Sequence, residues 1–520
     1  MKSTATAVAK RRQLDNFKNR MFMVETSKRL VKVARTAMIL NGDGYTGMTQ
    51  GDSLGAYSSF TEKIVSMCNR GTPSIILTNP PFAGVGEGRI TDSATLERFD
   101  VGKKWNYQGE SYQKTSELCT EGVPPEMLFV ERCIDWLRPG GKLGIVLPKG
   151  FLDTLTYQPA RNYILSNCRL LAVINMHKNT FQPYTGVRTC LIFVQKNDVN
   201  TNEMQNGDYP IFMAISNKIG QDSEGVPIYK YDDNGEKTDI IDQDLDDIFL
   251  KYEEFKNNKL VDSEYCFSIM RSDISTDCRL NPQIFMPSLN NTLRAVASID
   301  EINGWSVTTI GQLVPDIQIF KGPRLRTDNI NVSGPNDGKK VEPYYTPSAI
   351  LQEKADSVKY IDLSRATKKQ LHDFQIVRLH RGDIVITRSG SIGRVSMITK
   401  QFDNVIASDD MIRVRINNLD LRHYVYYYLQ SKEALDQMLR NEYGSIQQHL
   451  EPAHISNMLI PIPNDTMLLL NIINESKESF RKKEESYIAL QRGLKNIRAM
   501  FDLIYEKQKG LPFNSSLKNR

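Results

Sequence analysis

The sequence has few of the residues that build disulfide-rich or metal-bound folds. Its 520 residues include seven cysteines and six histidines. The cysteines form no Cys-x-x-Cys pair and the histidines are dispersed, so we expect reduced thiols, no disulfide framework and no structural metal site. The cysteines are Cys68, Cys119, Cys133, Cys168, Cys190, Cys266 and Cys278.

Long apolar runs and strong net charge are also lacking. No stretch of 18 consecutive apolar residues occurs, which is the length that a membrane span requires. The basic N-terminus has no apolar signal core. We therefore expect no membrane association and a cytoplasmic protein. The net charge of +5 permits nucleic-acid binding but does not argue for it, so local basic patches carry more weight.

One short stretch organises the first half of the chain. Residues 74–78 are mostly apolar or β-branched and predict a buried strand, which ends before the sequence Asn79-Pro80-Pro81-Phe82. Two successive prolines cannot donate ladder hydrogen bonds, so they stop the strand. An amide, two rigid residues and an aromatic ring are thus expected at the carboxyl end of a strand, where open α/β sheets bind ligands.

This tetrapeptide suits methylation of an exocyclic amine on a nucleobase. The side-chain oxygen of Asn79 and the carbonyl of Pro80 can accept both N–H bonds of the amine. Phe82 offers a flat apolar face on which a base rotated out of a duplex could stack. The catalytic residues predicted on this basis are Asn79, Pro80, Pro81 and Phe82. A strand followed by a proline-rich turn is the alternative interpretation of the tetrapeptide alone.

Asn-Pro-Pro-Phe after an apolar strand resembles the catalytic motif of DNA amino-methyltransferases, chiefly adenine-N6 enzymes. The wider context resembles the modification subunit of type I restriction–modification systems. That resemblance implies S-adenosylmethionine as cofactor and duplex DNA as substrate. Glu25, after a short apolar run, matches the family's ribose-binding acid, and Asp52 matches the residue near the cofactor's adenine. The expected cofactor-binding residues are Glu25, Asp52 and Asn79, and Phe181 could join Phe82 in the base pocket.

The family's glycine-rich cofactor loop has no counterpart before Glu25. Only 24 residues precede this acid, and they contain no glycine. A separate polypeptide could supply the missing part, the chain could have lost catalysis while keeping DNA binding, or the gene product could be truncated. We favour the first explanation because Glu25, Asp52 and residues 79–82 are all retained.

Strands alternating with helices predict a doubly wound, Rossmann-like α/β methyltransferase sheet with an incomplete N-terminus, mainly parallel. This catalytic domain is expected over residues 1–265, followed by a linker at 266–302. The acidic, turn-rich residues 198–265 are interpreted as a less regular, solvated part of that domain.

The second half resembles a target-recognition domain of type I specificity subunits. The segments that carry this likeness are 379–394, 406–411, 444–450 and 458–463. They predict an α+β recognition domain at 303–464. Basic side chains here can grip phosphates or reach guanine edges, although a solvated strand edge is the plainer alternative. The predicted DNA contacts are Lys321, Arg324, Arg378, Arg381, Arg388 and Arg394.

A long C-terminal helix is expected at 465–510. No proline falls between Pro463 and Pro512, and apolar residues recur at near-helical spacing. The segment resembles the long helix of specificity subunits, so we expect a homodimer or larger assembly through it. The resulting prediction is a fused modification–specificity subunit that methylates adenine N6 with a partner chain. The alternative is a non-catalytic DNA-recognition subunit of a defence complex.

Overall fold

The computed structural model describes residues 20–41, 47–67, 69–83, 88–108, 111–198, 207–313, 316–332, 340–351, 359–389, 392–441 and 450–508. This described part divides into two compact units, one ending at Ser288 and the other beginning at Leu289. Most of the 444–450 segment that the sequence singles out lies outside the described residues.

The first unit mixes strands and helices. Its strands are β1 (Met23–Glu25), β2 (Met48–Gln50), β3 (Ile75–Thr78), β4 (Lys103–Gln108), β5 (Ser111–Leu118), β6 (Lys142–Pro148), β7 (Cys168–Asn175), β8 (Thr189–Lys196), β9 (Pro210–Ile215), β10 (Tyr229–Tyr231), β11 (Lys237–Ile241) and β12 (Cys266–Met270). Its helices are α1 (Lys28–Leu40), α2 (Glu62–Met67), α3 (Ser93–Leu96), α4 (Pro125–Trp136), α5 (Gln158–Asn167) and α6 (Leu245–Lys256).

Six of these strands form the central sheet, in the order β12–β9–β7–β8–β6–β3. Helices α4 and α5 cover one face around Leu143, Ile145 and Ile192, and α6 packs on the opposite face, so the doubly wound α/β architecture is confirmed. The mainly parallel arrangement is not: only β3–β6 and β7–β9 are parallel. The connection at 176–188 contains turns and no helix, so β8 returns antiparallel to β7.

The start of the predicted linker belongs to the core instead. Strand β12 pairs antiparallel with β9 at the sheet edge. Phe267, Leu280 and Phe285 are buried in the same hydrophobic cluster as the central strands. The alternating apolar residues at 266–270 supply one more strand, which continues the domain beyond residue 265. The region 198–265 likewise contains the sheet strand β9 and the covering helix α6.

The second unit is α+β. Its strands are β13 (Trp305–Thr309), β14 (Gln318–Lys321), β15 (Asn331–Val332), β16 (Val341–Tyr345), β17 (Lys359–Asp362), β18 (Ile384–Thr387), β19 (Val395–Met397), β20 (Ile406–Ala407), β21 (Met411–Arg415) and β22 (Leu459–Pro463). Its helices are α7 (Pro287–Ala297), α8 (Pro347–Leu351), α9 (Lys368–Ile376), α10 (Leu419–Tyr428), α11 (Lys432–Asn441), α12 (Pro452–Ser456) and α13 (Thr466–Gln508). Two four-stranded sheets, β14–β21–β18–β19 and β15–β17–β16–β20, form its centre.

A buried carboxylate organises the turn before β18. Gly382 adopts φ of +90°, which lets the chain reverse ahead of Asp383. The Asp383 carboxylate accepts two hydrogen bonds of 2.7 Å from Arg415 and one of 2.9 Å from the His380 amide. This turn therefore depends on a bidentate ion pair across the sheet.

The long C-terminal helix is present as α13, with 43 residues. Its first half packs on the recognition unit through Ile473, Phe480 and Tyr487, which are buried. From residue 488 to residue 504 the side chains are exposed. No helix in the described ranges combines the length and apolarity that crossing a bilayer requires.

Candidate active site

The sequence Asn79 to Phe82 follows β3 directly. Strand β3 runs parallel to β6, with Thr78 opposite Ile145. Asn79 and Pro81 are exposed, Pro80 is buried and Phe82 is half-buried. The Asn79 amide has no hydrogen-bond partner in the part of the chain that the structure describes. It is therefore available to a molecule outside the protein.

Helix α4 holds the backbone that follows Phe82. Glu126, in the first turn of α4, is fully buried. Its carboxylate accepts hydrogen bonds from the Ala83 amide at 3.3 Å and from the Tyr157 hydroxyl at 2.5 Å. Burial raises the pKa of Glu126 above its usual value, with these two bonds acting in the opposite sense. The residues 79–83 are thus tied to the core by a buried acid.

The predicted cofactor acids lie at the carboxyl ends of two paired strands. Strands β1 and β2 are parallel, with Glu25 opposite Gln50, and Asp52 follows two residues later. Glu25 accepts a 2.8 Å hydrogen bond from the Ser27 amide, and Asp52 accepts a 2.9 Å bond from the Leu54 amide. Both bonds are local, so each carboxylate keeps free acceptor capacity.

A buried arginine on α4 fixes the loop that contains Asp52. Arg132 donates hydrogen bonds to the carbonyls of Leu54 at 3.3 Å and Gly55 at 2.8 Å. Its guanidinium lies 4.6 Å from the ring centroid of Tyr57 and 5.0 Å from that of Phe99. Stacking on aromatic faces stabilises a cation whose remaining N–H groups are buried without an acceptor.

Phe181 lies in the turn-rich connection between β7 and β8. It is half-buried, and its carbonyl accepts hydrogen bonds from the amides of Tyr184 and Thr185. Among the described residues its ring makes no aromatic contact with Phe82. Its place in a base pocket stays a prediction.

Four of the six predicted DNA contacts are engaged in ion pairs within the recognition unit. Arg378 pairs with Glu342, and Arg388 with Glu451; each arginine side chain is only 12% exposed. Arg381 binds Glu484 on α13, and Lys321 binds Glu451. Most of this cluster therefore contributes to holding the unit together. The remaining two, Arg324 and Arg394, have no carboxylate partner in the described chain, and Arg324 is exposed.

Sequence reasoning did not identify Glu126, Tyr157 or Arg132. A glutamate in the first turn of a helix is usually explained by the helix dipole, and an arginine in a helix by solvent exposure. The only signal was that Glu126 and Arg132 lie six residues apart on one helix, and no signal marked Tyr157. The described residues contain no group of three or more His, Cys, Asp or Glu side chains that could hold a metal ion.

Two family models match this chain, one in each half. Residues 3–290 match the family model for N-6 DNA methylase, and residues 302–466 match that for the type I restriction modification DNA specificity domain. The EcoEI type I restriction enzyme methylase subunit of Escherichia coli is 26% identical over 144 residues, which cover 28% of this chain and 25% of that protein.

Two solved structures that align with part of this chain come from restriction–modification systems. The type I methyltransferase subunit from Streptococcus thermophilus aligns with a TM-score of 0.35 at 17% identity, covering 50% of this chain and 47% of that one. The type IIL restriction-modification enzyme MmeI, solved in complex with DNA, aligns with a TM-score of 0.40 at 9% identity, covering 80% of this chain and 54% of that one.

The chain thus spans about half of these two structures and a quarter of the E. coli relative. The methylase match nevertheless covers more than half of the 520 residues and contains the Asn79 motif, β1, β2 and α4. The chain belongs to the N-6 DNA methylase family and carries a type I DNA specificity domain after its methylase region.

Proposed function

We propose that this protein is the methylating and DNA-reading subunit of a restriction–modification or related phage-defence system. It would transfer a methyl group from S-adenosylmethionine to the N6 atom of adenine at a specific site in duplex DNA. The observation that carries this proposal is the exposed Asn79 amide at the carboxyl end of β3, backed by a buried proline. Because duplex DNA is the proposed substrate, we propose that the protein acts in the cytoplasm.

The residues at this strand end suit an amine that has to be oriented. Asn79 Oδ1 and the Pro80 carbonyl would accept the two N–H bonds of the adenine amino group. The nitrogen lone pair is then directed away from the ring and toward the incoming methyl carbon. Both oxygens also stabilise the positive charge that develops on N6, and the surplus proton leaves to solvent. Phe82, with Phe181 as a second candidate, would stack on the extruded base.

Glu25 and Asp52 have the chemistry that a nucleoside requires. A carboxylate at a strand end can accept both hydroxyls of a ribose, and the acceptor capacity left on Glu25 fits that role. Asp52 would contact the adenine region. S-adenosylmethionine, when bound, would supply the methyl group on a positively charged sulfur. Glu25 and Asp52 address only the nucleoside part of the cofactor, so we propose that a partner polypeptide holds its amino-acid part.

The recognition unit would select the target sequence. We propose that Arg324 and Arg394 make DNA contacts, because their charges are not neutralised by carboxylates in the described residues. To contact DNA, Lys321 and Arg381 would have to break their ion pairs with Glu451 and Glu484 and bind a phosphate group instead. Arg378 and Arg388, which are largely buried, would act indirectly by shaping the unit. Two copies paired through α13 would present two such units to a bipartite site.

A methylation assay tests the catalytic proposal. The chain is co-expressed with the products of its neighbouring genes, purified, and incubated with S-adenosylmethionine and genomic DNA that lacks N6-methyladenine. We expect N6-methyladenine by mass spectrometry with wild type and at least a hundredfold less with Asn79→Ala. Asn69→Ala, an exposed asparagine in a loop before β3, is the matched control and should retain activity.

The alternative, a non-catalytic DNA-recognition subunit, has one observation in its favour. Strands β1 and β2 form a separate two-stranded sheet and pair with no central strand among the described residues. The cofactor acids and the Asn79 motif therefore lie on different sheets. Site-specific DNA binding without methylation in wild type or mutant, with neighbouring gene products present, would support this alternative and reject the enzyme.

A further inference from the structure

Strands β4 and β5 form a hairpin that is separate from the central sheet. Among the described residues these two strands pair only with each other. Two contacts fix the hairpin to helix α5. Gln158 Nε2 donates a 2.8 Å hydrogen bond to the Tyr107 hydroxyl, and Asn162 Nδ2 donates a 3.1 Å bond to the Tyr112 carbonyl. The hairpin is therefore held in a defined place although it is not part of the sheet.

A cavity of about 340 Å³ lies between this hairpin and the start of α4. Its lining includes residues 103–106 and Tyr112 of the hairpin, and residues 119–124 with Met127 on the other side. The cofactor and base-pocket residues proposed above do not line it. Its volume is at the lower end of the range for small-molecule sites, so a ligand would be no larger than about one nucleotide.

Two stacked aromatic rings line the cavity. The ring centroids of Trp105 and Tyr112 are 5.8 Å apart, with an interplanar angle of 27°. Trp105 Nε1 donates a 3.1 Å hydrogen bond to the Asp100 carbonyl, which fixes the orientation of the indole. Both residues are half-buried, and neither belongs to the hydrophobic core cluster of the first unit. A fixed and partly exposed aromatic face is a surface on which another planar ring can stack.

The charged side chains that line the cavity are mainly basic. They are Arg89, Lys103 and Lys104, against the single carboxylate of Glu121. Each lysine has a carboxylate partner within 3.5 Å that lies outside the lining. Arg89 is exposed, donates a 3.1 Å hydrogen bond to the Gly122 carbonyl and forms no ion pair with any described residue. Its other N–H groups are therefore available to an anion, and the guanidinium fork matches the geometry of a phosphate.

An aromatic stacking face and an unpaired guanidinium in one cavity favour a ligand that has both a flat ring and an anionic group. A nucleotide combines the two, because its base can stack on an aromatic side chain whatever its identity and its phosphate carries negative charge. An acidic peptide would use the arginine and leave the rings without a partner. An uncharged apolar ligand would use the rings and leave the guanidinium unpaired.

We propose that this cavity, the hairpin site (Arg89, Trp105 and Tyr112), binds a nucleotide other than the target adenine. The base stacks against the aromatic pair and the phosphate binds Arg89. This inference rests on the proposed function, in which an adenine leaves the duplex. Extruding a base removes the stacking partner of its neighbour in the strand, and a nearby aromatic face replaces that partner. The hairpin site is close to the proposed catalytic segment along α4, where Glu126 binds the Ala83 amide. A free nucleoside monophosphate has the same chemistry.

The test measures binding of two probes to the full chain, purified with any co-expressed partner: a fluorescein-labelled single strand of four thymidines, and thymidine monophosphate as its competitor. Wild type should bind the labelled strand in fluorescence anisotropy. Trp105→Leu should weaken this binding about tenfold, whereas Trp105→Tyr keeps an aromatic face and should stay within about threefold of wild type. Tyr231→Leu removes an aromatic side chain that is 69% exposed and outside the hairpin site, so it should bind as wild type does.

Arg89→Gln tests the phosphate contact without altering the aromatic pair. It should weaken binding of the strand and reduce the slope of log K against log salt concentration by about 0.7, the value for one phosphate of a single strand. Arg138→Gln, at an exposed position outside the lining, should leave the slope unchanged. If the strand binds more tightly than thymidine monophosphate, the ligand is a nucleotide within DNA; equal affinity assigns the hairpin site to a free nucleotide.

Three results would overturn the proposal. Wild type binds neither probe, Trp105→Leu and Arg89→Gln bind both probes as tightly as wild type, or Trp105→Tyr loses binding as completely as Trp105→Leu. Methylation is measured separately on the same preparations. A wild type that methylates DNA without Trp105-dependent binding would reject the hairpin site alone, whereas Trp105-dependent binding without methylation would reject the enzymatic proposal alone.

Discussion

Arg132 donates a 2.8 Å hydrogen bond to the carbonyl oxygen of Gly55. Six residues earlier on the same helix, Glu126 accepts a hydrogen bond from the Ala83 amide. Helix α4 therefore fixes both the loop that carries Asp52 and the segment that carries Asn79. A single rigid element thus links the proposed cofactor loop to the proposed catalytic loop, as precise positioning of two reactants requires.

Arg132→Met should weaken cofactor binding. The substitution leaves the Gly55 carbonyl without its buried donor and the Leu54 carbonyl with Arg98 alone, so the Asp52 loop is held less tightly. We expect a loss of about 2 kcal/mol in unfolding free energy, typical of a lost hydrogen bond to a charged group. The Kd for S-adenosylmethionine, measured by calorimetry on the co-expressed complex, should rise about tenfold. Arg138→Met, at an exposed position just beyond α4, serves as the control and should change neither quantity.

Glu126→Gln should slow methyl transfer while leaving substrate binding intact. The amide oxygen can accept from Ala83 while the NH2 group donates to the Tyr157 hydroxyl, so two bonds to a carboxylate are replaced by two weaker bonds to a neutral amide. We expect kcat to fall about tenfold, because the Asn79 segment is held less tightly. Equilibrium affinity for DNA and cofactor should stay within twofold. Glu121→Gln alters an exposed acid nearby and should match wild type. A fall in affinity with unchanged kcat would contradict the positioning role.

Glu131 should make stability depend on pH. Its buried carboxylate accepts hydrogen bonds from the amides of Asp100 and Val101, yet burial raises the pKa from the usual 4.5 to about 6. A raised folded-state pKa means that the folded protein binds the proton more tightly than the unfolded chain. The corresponding stability is present below pH 4.5 and is lost as the pH rises through 6, a change of about 2 kcal/mol.

The corresponding measurement is denaturant unfolding of the first unit between pH 4.5 and 7. Glu131→Gln, which does not titrate, should flatten the fall in unfolding free energy over this range. Glu117→Gln changes an acid whose side chain is 70% exposed and should keep the wild-type slope. An unchanged slope in Glu131→Gln would show that other groups set the pH dependence.

Local sequence signals predicted the elements around the active site well. Strand β3 ends at Thr78, just before Asn79, Pro80 and Pro81, because proline restricts its own backbone and that of the residue before it. The interactions that fix the site were not predictable in this way. Glu126 and Ala83 are 43 residues apart, and Arg132 and Gly55 are 77 apart. Only the folded sheet brings them together.

In the recognition unit, the spacing of charges along the sequence did not predict the ion pairs. The arginines at 378–394 appear in sequence as one basic patch. In the structure Arg378 pairs with Glu342, 36 residues earlier, and Arg388 with Glu451, 63 residues later. A sequence pattern shows which charged residues are close along the chain, whereas ion pairs form between charged side chains that are close in space. For this reason the patch overstated the positive charge available to DNA.

DNA binding should therefore depend on the arginines without carboxylate partners. Arg324→Ala and Arg394→Ala should each weaken binding of duplex DNA and reduce the slope of log K against log salt concentration by about one, as expected for the loss of a phosphate contact. The control Arg365→Ala removes an arginine that is 54% exposed but lies 3.4 Å from Asp362. Fluorescence anisotropy at several salt concentrations measures the slope. Equal slopes for Arg365→Ala and Arg324→Ala would contradict the assignment.

The distal half of α13 should mediate self-association. Leu490, Leu494, Ile497, Phe501 and Ile504 follow the alternating four- and three-residue spacing of a heptad seam, and each is exposed by 37–53%. A helix with such an exposed seam is stabilised when the seam packs against that of another helix. Two copies of this chain present identical seams, which can pack together about a two-fold axis.

Leu494→Glu places a charge in this seam and should shift the chain toward the monomer mass in light scattering at micromolar concentration. Asn496→Glu adds the same charge at an exposed position outside the seam and should leave the mass of the assembly unchanged. DNA affinity for a single half-site should be equal in both variants, since the recognition unit is not altered. A dimer should bind a duplex with two half-sites more tightly than a monomer does, because its two recognition units are linked. Only Leu494→Glu should lose this additional affinity. A dimeric Leu494→Glu protein would place the assembly interface elsewhere.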